Sequence, residues 1–134
     1  MKEYNLNIKQ RSEISIVEDI LHKINKEFLL GEEKFVNLLI AVTEAVINAV
    51  VHGNKNNPGK QVYLNLQYDD KEITVKIKDE GEGFDPKKIP DPTSNENLFK
   101  ESGRGIFIIR SLVDKFEFKT DKSGSELILT MYKK

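Results

Sequence analysis

Residues 38–54, LLIAVTEAVINAVVHGN, constrain this chain more than any other stretch. Nearly every position is apolar, which predicts one long helix buried on most of its sides. Glu44 and Asn48 stand one turn apart on the same face of that helix, and His52 extends the stripe by another turn. A carboxylate and an amide on a buried helix are costly unless something pairs with them. Either neighbouring backbone supplies the partners, or a ligand and its metal do.

A chain of 134 residues is expected to form one domain, 1–134, and to bury roughly two-thirds of its unfolded surface. Its formal net charge of −1 gives no electrostatic reason to bind nucleic acid or an acidic membrane. The basic residues form no stripe with interleaved aromatics, which also argues against nucleic acid. There are no cysteines, so disulfides and thiolate metal sites are excluded, in keeping with a reducing cytoplasm. The first residues, MKEYNLNIKQRSE, lack the apolar run of a signal peptide. Val36 to Val51 reads as too short and too interrupted to span a bilayer. The expectation is a soluble, cytoplasmic protein.

Tyr4, Leu6 and Ile8 alternate in a short edge strand. Ser12 is placed to cap a helix marked by Ile14, Val17, Ile20, Leu21, Ile24 and Phe28, which Gly31 ends. The central helix starts near Glu32 and runs into the polar segment HGNKNNPGK. Val62, Leu64, Leu66 and Tyr68 alternate, Asp69-Asp70-Lys71 turns, and Ile73, Val75 and Ile77 alternate in return, giving a hairpin. From Glu80 to Gly103 the pattern breaks, with three prolines and three glycines. A loop this long in a compact domain is a functional lid or disordered, and a lid is assigned to about 84–103, with Leu98 and Phe99 positioned to pin its end. Gly103-Arg104-Gly105 leads into a short helix, 106–113. Strands containing Phe116 and Phe118, then Leu127, Leu129 and Met131, complete the chain. The predicted architecture is an α+β two-layer sandwich, a mixed, mainly antiparallel sheet covered on one face by three helices.

Asp79 continues the register of Ile73, Val75 and Ile77, so its side chain points toward the core. It either caps the turn at the strand end or accepts a hydrogen bond from an adenine amino group. Guanine presents a carbonyl oxygen there, so the second role selects adenine. Gly81 and Gly83 would let a flat ligand approach the backbone. Gly103, Arg104 and Gly105 form either a loop-to-helix junction with a solvated arginine or a phosphate site at a helix N-terminus. Asn48 offers a hard amide oxygen suited to Mg²⁺, and Glu44 can orient or deprotonate an attacking hydroxyl. His52 either approaches the phosphates or closes the helix end, the second being favoured, and His22 is assigned to the surface. There is no P-loop, nucleophile elbow, zincin motif or cysteine nucleophile.

Three stretches then fall in a known order. EAVINAVVHGN (44–54), DEGEGFDP (79–86) and SGRGIFIIRSLVD (102–114) resemble the N box and the two glycine boxes of the gyrase, histidine-kinase and mismatch-repair ATPase superfamily. The whole chain is similar to one branch, the stand-alone anti-sigma-factor serine/threonine kinases. The resemblance implies the Bergerat-type ATP-binding fold, with ATP and Mg²⁺ as cofactors. It implies Glu44 as catalytic base, Asn48 as Mg²⁺ ligand and Asp79 as adenine contact. Gly81 and Gly83 would shape the base pocket, Gly103, Arg104 and Gly105 the phosphate site, and Ser125 would lie near an adenine-bound water. The implied substrate is a serine or threonine of a STAS-domain anti-anti-sigma protein, with a sigma factor as competing partner and a homodimer as the common assembly. A histidine-kinase catalytic half is disfavoured, because His22 is followed by Lys23 and no dimerisation hairpin precedes the motifs. A non-catalytic ATP-binding interaction module stays open as the alternative.

Overall fold

A computed structural model describes the backbone of residues 2–81 and 101–133, and their side chains except at 101–104 and 121. Five strands form one sheet: β1 (Lys2–Ile8), β2 (Val62–Tyr68), β3 (Glu72–Lys78), β4 (Lys115–Asp121) and β5 (Gly124–Tyr132). Among the described residues their order is β1-β2-β3-β5-β4 and every pairing is antiparallel, so the mixed, mainly antiparallel sheet expected is antiparallel throughout these strands. Each connection within it is a hairpin or passes through helices, and none demands a parallel neighbour.

The register assembles the predicted alternation into rows. Leu6 faces Leu64, Leu64 faces Ile77, Ile77 faces Leu127 and Leu127 faces Phe118. A second row joins Tyr4, Leu66, Val75, Leu129 and Phe116 in the same way. Such cross-strand pairs fix the register, because a slip of one residue would turn every apolar side chain to water. The opposite face is polar, with Asn65 donating to Asn5 and Gln67 to Glu3.

Helices α1 (Ile14–Phe28), α2 (Glu32–Ile47) and α3 (Glu101–Leu112) accompany the sheet. The stripe on α1 buries Ile14, Val17, Leu21, Ile24 and Phe28 as expected. The caps differ from expectation. Ser12 lies in a 3-10 turn, Arg11–Glu13, and the capping group is the Glu13 carboxylate, which accepts the Lys9 and Gln10 amides. Leu29, not Gly31, takes the left-handed conformation that ends α1, with φ 62°. The Asn25 side chain accepts the Leu30 amide at 2.7 Å and offsets the cost of that backbone.

Helix α2 gives way at Asn48 to a π-helical turn, Asn48–Gly53, so the expected single α-helix through Asn54 is really two helical forms in series. Together they span 22 residues, within which an 18-residue window has mean hydropathy 1.7, so by length and composition the helix passes as one able to cross a membrane, where residues 36–51 alone read as too short and too interrupted. Half of that window is buried inside the fold, where Leu38, Ala41, Val42, Ala45, Val46, Ala49 and Val50 join the core. Lys34 fastens the start of α2 to the far sheet edge, pairing with Asp114 Oδ2 and the Tyr132 carbonyl, both at 2.9 Å.

Candidate functional site

The apolar rows of the sheet end at a polar step. Asp79 follows β3 and is buried, 5% exposed, in the predicted inward orientation. Its amide donates to the Ser125 carbonyl at 2.9 Å, which continues the β3–β5 register by one residue. Its Oδ1 accepts the Gly81 amide at 2.9 Å and the Ser125 amide at 3.0 Å. Ser125 is buried as well, and its Oγ lies 3.0 Å from Thr120 Oγ1. Burial pushes the Asp79 carboxyl above the usual carboxylate range, outweighing the two amides and the charge of Lys60, which pull it down. The two readings of Asp79 therefore fall on different oxygens. Oδ1 does the turn-capping work, and Oδ2 makes no hydrogen bond among the described residues.

Three glycines press on this carboxylate. A Cβ at Gly53 would overlap Asp79 Oδ2, one at Gly81 would overlap the Gly53 carbonyl, and one at Gly124 would overlap the Asp79 carbonyl. Gly124 also has φ +142°, a conformation that side chains rarely adopt. Gly81 thus has a reason within the protein itself, beyond the ligand approach expected of it. Asn54, which the sequence reading passed over, ties the same region together. It is buried, its Nδ2 donates to the Gln61 carbonyl at 3.0 Å, and its Oδ1 accepts the Glu80 amide at 2.7 Å. Glu80 in turn accepts the Gln61 amide. A buried asparagine between a histidine-glycine pair and a lysine was the available signal.

Two adjoining cavities meet at the π-helical turn. A deep recess of about 10 Å³, room for roughly one water, is lined by Asp79, Ser125, Ile77, Gly53 and Phe118 among others. A wider cleft of about 360 Å³ is lined by Glu44, Asn48, Gly105, Ile108 and Arg11. Asn48 and His52 belong to both walls. His52 stands in the last turn of the π-helical segment and also lines both cavities, so the position is compatible with either role read from the sequence. His22 is on the surface as expected, its ring edge-on to Phe35 at 5.0 Å between centroids.

Asn48 is only 8% exposed, and its Oδ1 is buried with no hydrogen-bond partner. A buried amide oxygen without a partner is uncommon and calls for a ligand. No cluster of three or more His, Asp or Glu residues suited to a metal exists among the described residues. That combination fits Mg²⁺, which takes one or two protein oxygens and fills its remaining positions with water and phosphate. Glu44 is half-buried on the same wall, with Gly105 of α3 against it: a Cβ there would stand 4.0 Å from Oε2.

Helix α3 begins before the glycines, so Gly103, Arg104 and Gly105 lie within its first turns instead of leading into it. Gly105 is buried in the cleft wall, whereas the side chain of Arg104 lies outside the described residues. Gly83, Leu98, Phe99 and most of the segment expected to form the lid, 84–103, also lie outside them.

Residues 10–131 match the histidine kinase-like ATPase domain family. The chain is 32% identical over 102 residues to the anti-sigma F factor of Oceanobacillus iheyensis, covering 73% of this chain and 69% of that protein. It is 36% identical over 101 residues to the serine-protein kinase RsbW of Staphylococcus aureus, covering 69% of this chain and 62% of that one. The fold also matches the RsbU and RsbW domains of a Mycobacterium tuberculosis protein, with TM-score 0.69 and 16% identity over 98% of this chain and 32% of that chain. The chain belongs to the histidine kinase-like ATPase domain family. Within that family it groups with the anti-sigma F factors and RsbW proteins, which makes it a member of a class of protein serine/threonine kinases.

Proposed function

We propose that this protein is an ATP- and Mg²⁺-dependent serine/threonine kinase that works as a partner-switching regulator in the cytoplasm. Its substrate is a hydroxyl of a STAS-domain anti-anti-sigma protein, and a sigma factor competes for the same kinase, which acts as a homodimer. The observation that carries the reading is the unpartnered, buried Oδ1 of Asn48, in one cleft wall with Glu44 and contiguous with the Asp79 recess.

When bound, Mg²⁺–ATP supplies the phosphoryl group and a cation that neutralises its charge. Asn48 Oδ1 is the protein's ligand for that cation. Asp79 Oδ2 accepts the exocyclic amine of adenine, while Oδ1, held by two amides, keeps the carboxylate from turning. The Ser125 amide and hydroxyl fix the floor of the recess. Glu44 takes the proton of the attacking hydroxyl, and its half-burial keeps bulk water from competing. Gly105 leaves the Glu44 wall free of a side chain. Positioning of this kind supplies much of the rate in phosphoryl transfer.

The test is calorimetric titration of ATP, ADP and GTP, with and without Mg²⁺, into the wild type and Asp79→Asn. Adenine-selective binding that weakens about tenfold or more in the variant is expected, since the carboxylate is the recognising acceptor. Folded protein that binds no nucleotide would sink the reading. Phosphate transfer to a STAS-domain protein separates the kinase from an ATP-binding module that only presents a surface.

A further inference from the structure

The cleft contains one residue that none of the three boxes includes. Arg11 lines it together with Glu44, Asn48 and Gly105. It arrives from the opposite end of the chain, on the 3-10 turn between β1 and α1. Glu13 accepts the amides of Lys9 and Gln10 at 2.9 and 3.2 Å, and its own amide donates to the Gln10 carbonyl at 3.0 Å. Ile14, next in sequence, is buried in the core. The backbone that carries Arg11 is therefore pinned on both sides.

Arg11 makes no ion pair among the described residues, and it is the one lysine or arginine among the described residues of the cleft wall. It lines the wide cleft but not the recess that holds Asp79. Its place is thus in the part of the site away from the Asp79 recess, in the cleft that Glu44 also lines. A magnesium-bound triphosphate brings roughly two net negative charges into this space, and Glu44 adds another. A guanidinium there offsets both.

We infer that Arg11 is a further catalytic residue, which engages the terminal phosphoryl group of ATP and holds it during transfer; this rests on the kinase reading above. In the step it serves, a bond forms between the partner's hydroxyl oxygen and the γ-phosphorus. The bond from that phosphorus to the β–γ bridging oxygen breaks. Glu44 takes the hydroxyl proton, and ADP carries away the bond's electron pair. Arg11 donates hydrogen bonds to the equatorial oxygens throughout, in the paired geometry that guanidinium gives and ammonium does not.

The experiment compares Arg11→Ala, Arg11→Gln and Arg11→Lys with the wild type, titrating a non-hydrolysable ATP analogue and, separately, ADP by calorimetry. Because Arg11 is exposed, the variants keep the fold, which circular dichroism checks. The expected result is a loss of roughly tenfold to a hundredfold in affinity for the ATP analogue in Arg11→Ala and Arg11→Gln, with ADP within about twofold. Arg11→Lys recovers part of the loss. Equal losses for both nucleotides, or none for either, overturn the assignment. Unchanged nucleotide affinities with a raised KM for the protein substrate overturn it in favour of a partner contact. Wild type that binds ADP but does not distinguish the ATP analogue overturns the Arg11 role alone. Wild type that binds neither nucleotide overturns the kinase reading and this role with it.

Discussion

A methyl group on Gly53 would overlap the Oδ2 and carboxylate carbon of Asp79. The end of the π-helical turn is therefore pressed against the residue proposed to read the base. Gly53→Ala is expected to push the carboxylate from its two amides or force the turn away. A cost of about 1–3 kcal/mol is expected from such overpacking, and nucleotide affinity should fall with it. Gly105→Ala is the contrast. There, among the described residues, a Cβ meets only Glu44 Oε2, at 4.0 Å, inside a helix. That variant should gain about 0.4–1 kcal/mol from reduced freedom of the unfolded chain. Urea denaturation of the two variants should show midpoints moving in opposite directions.

The raised carboxyl pKa of Asp79 makes a stability prediction with a definite sign. A group whose folded pKa lies above its unfolded value favours folding most when protonated. Its contribution is full below the ordinary value of 3.8 and is lost as pH rises through the folded value. Asp79→Asn cannot ionise, yet it keeps an oxygen to accept the Gly81 and Ser125 amides. The variant should match the wild type in acid and become the more stable of the two as pH rises toward neutrality, while binding ATP poorly. Urea midpoints of both proteins across that range check it. A wild type that gains on the variant with rising pH would mean that the carboxylate is stabilised, not strained, by its surroundings. The expected pattern is that of a functional group held at a cost to the fold.

Most of the scaffold was legible because it rests on short periods. Alternation in Val62–Tyr68 and Glu72–Lys78 specified the hairpin, and extending it by one residue put Asp79 inward. The helical stripe of α1 was equally plain. What escaped was set by contacts rather than by local pattern. The π-helical turn closes where the Asn54 amide reaches the Ala49 carbonyl at 2.8 Å, and Asn54 is itself held by Gln61 and Glu80. Glu13 outcompetes Ser12 as a cap because its longer side chain reaches back to two amides. Gly53 is explained by Asp79, which no spacing brings near it, whereas Gly124 is required by its positive φ as well as by Asp79. Arg11 and Glu44 line one cleft through the course of the chain, and no motif joins them.

Asn54 should prove to be a structural clasp whose loss reaches the site. Asn54→Ala leaves the Glu80 amide and the Gln61 carbonyl without their partner in a part-buried region. Unsatisfied groups of this kind cost about 1–3 kcal/mol each. Asn54→Asp keeps an acceptor for the Glu80 amide but no donor for Gln61, so it should fall between the wild type and the alanine variant. Hydrogen exchange at Glu80 and Gln61 would report the loosening directly. Unchanged protection in Asn54→Ala would show that the segment is held by something else.

Asn48 presents the reverse case. Its buried Oδ1 has no partner to lose, and alanine is the better helix former. Asn48→Ala is expected to change stability by about 1 kcal/mol or less. The same variant should lose the Mg²⁺-dependent part of ATP binding. Asn48→Asp retains a hard oxygen and should retain part of it. A stable variant whose ATP affinity still responds fully to Mg²⁺ would remove Asn48 from the metal site.

Glu44 shares a wall with Asn48, and the two can be separated by what each variant leaves intact. Glu44 is half-buried and accepts no hydrogen bond among the described residues, so the fold does not depend on its charge. Glu44→Gln preserves its size and removes only the ability to take a proton. ATP affinity should stay within about threefold, since the proposed role has Glu44 contact the attacking hydroxyl and not the nucleotide. The transfer rate under single-turnover conditions should fall by roughly 10²–10⁴-fold, the range for loss of a general base. Equal falls in binding and transfer would instead place Glu44 among the groups that hold the phosphates. Full transfer in the variant would remove Glu44 from the role of base and leave the proton of the attacking hydroxyl to another group.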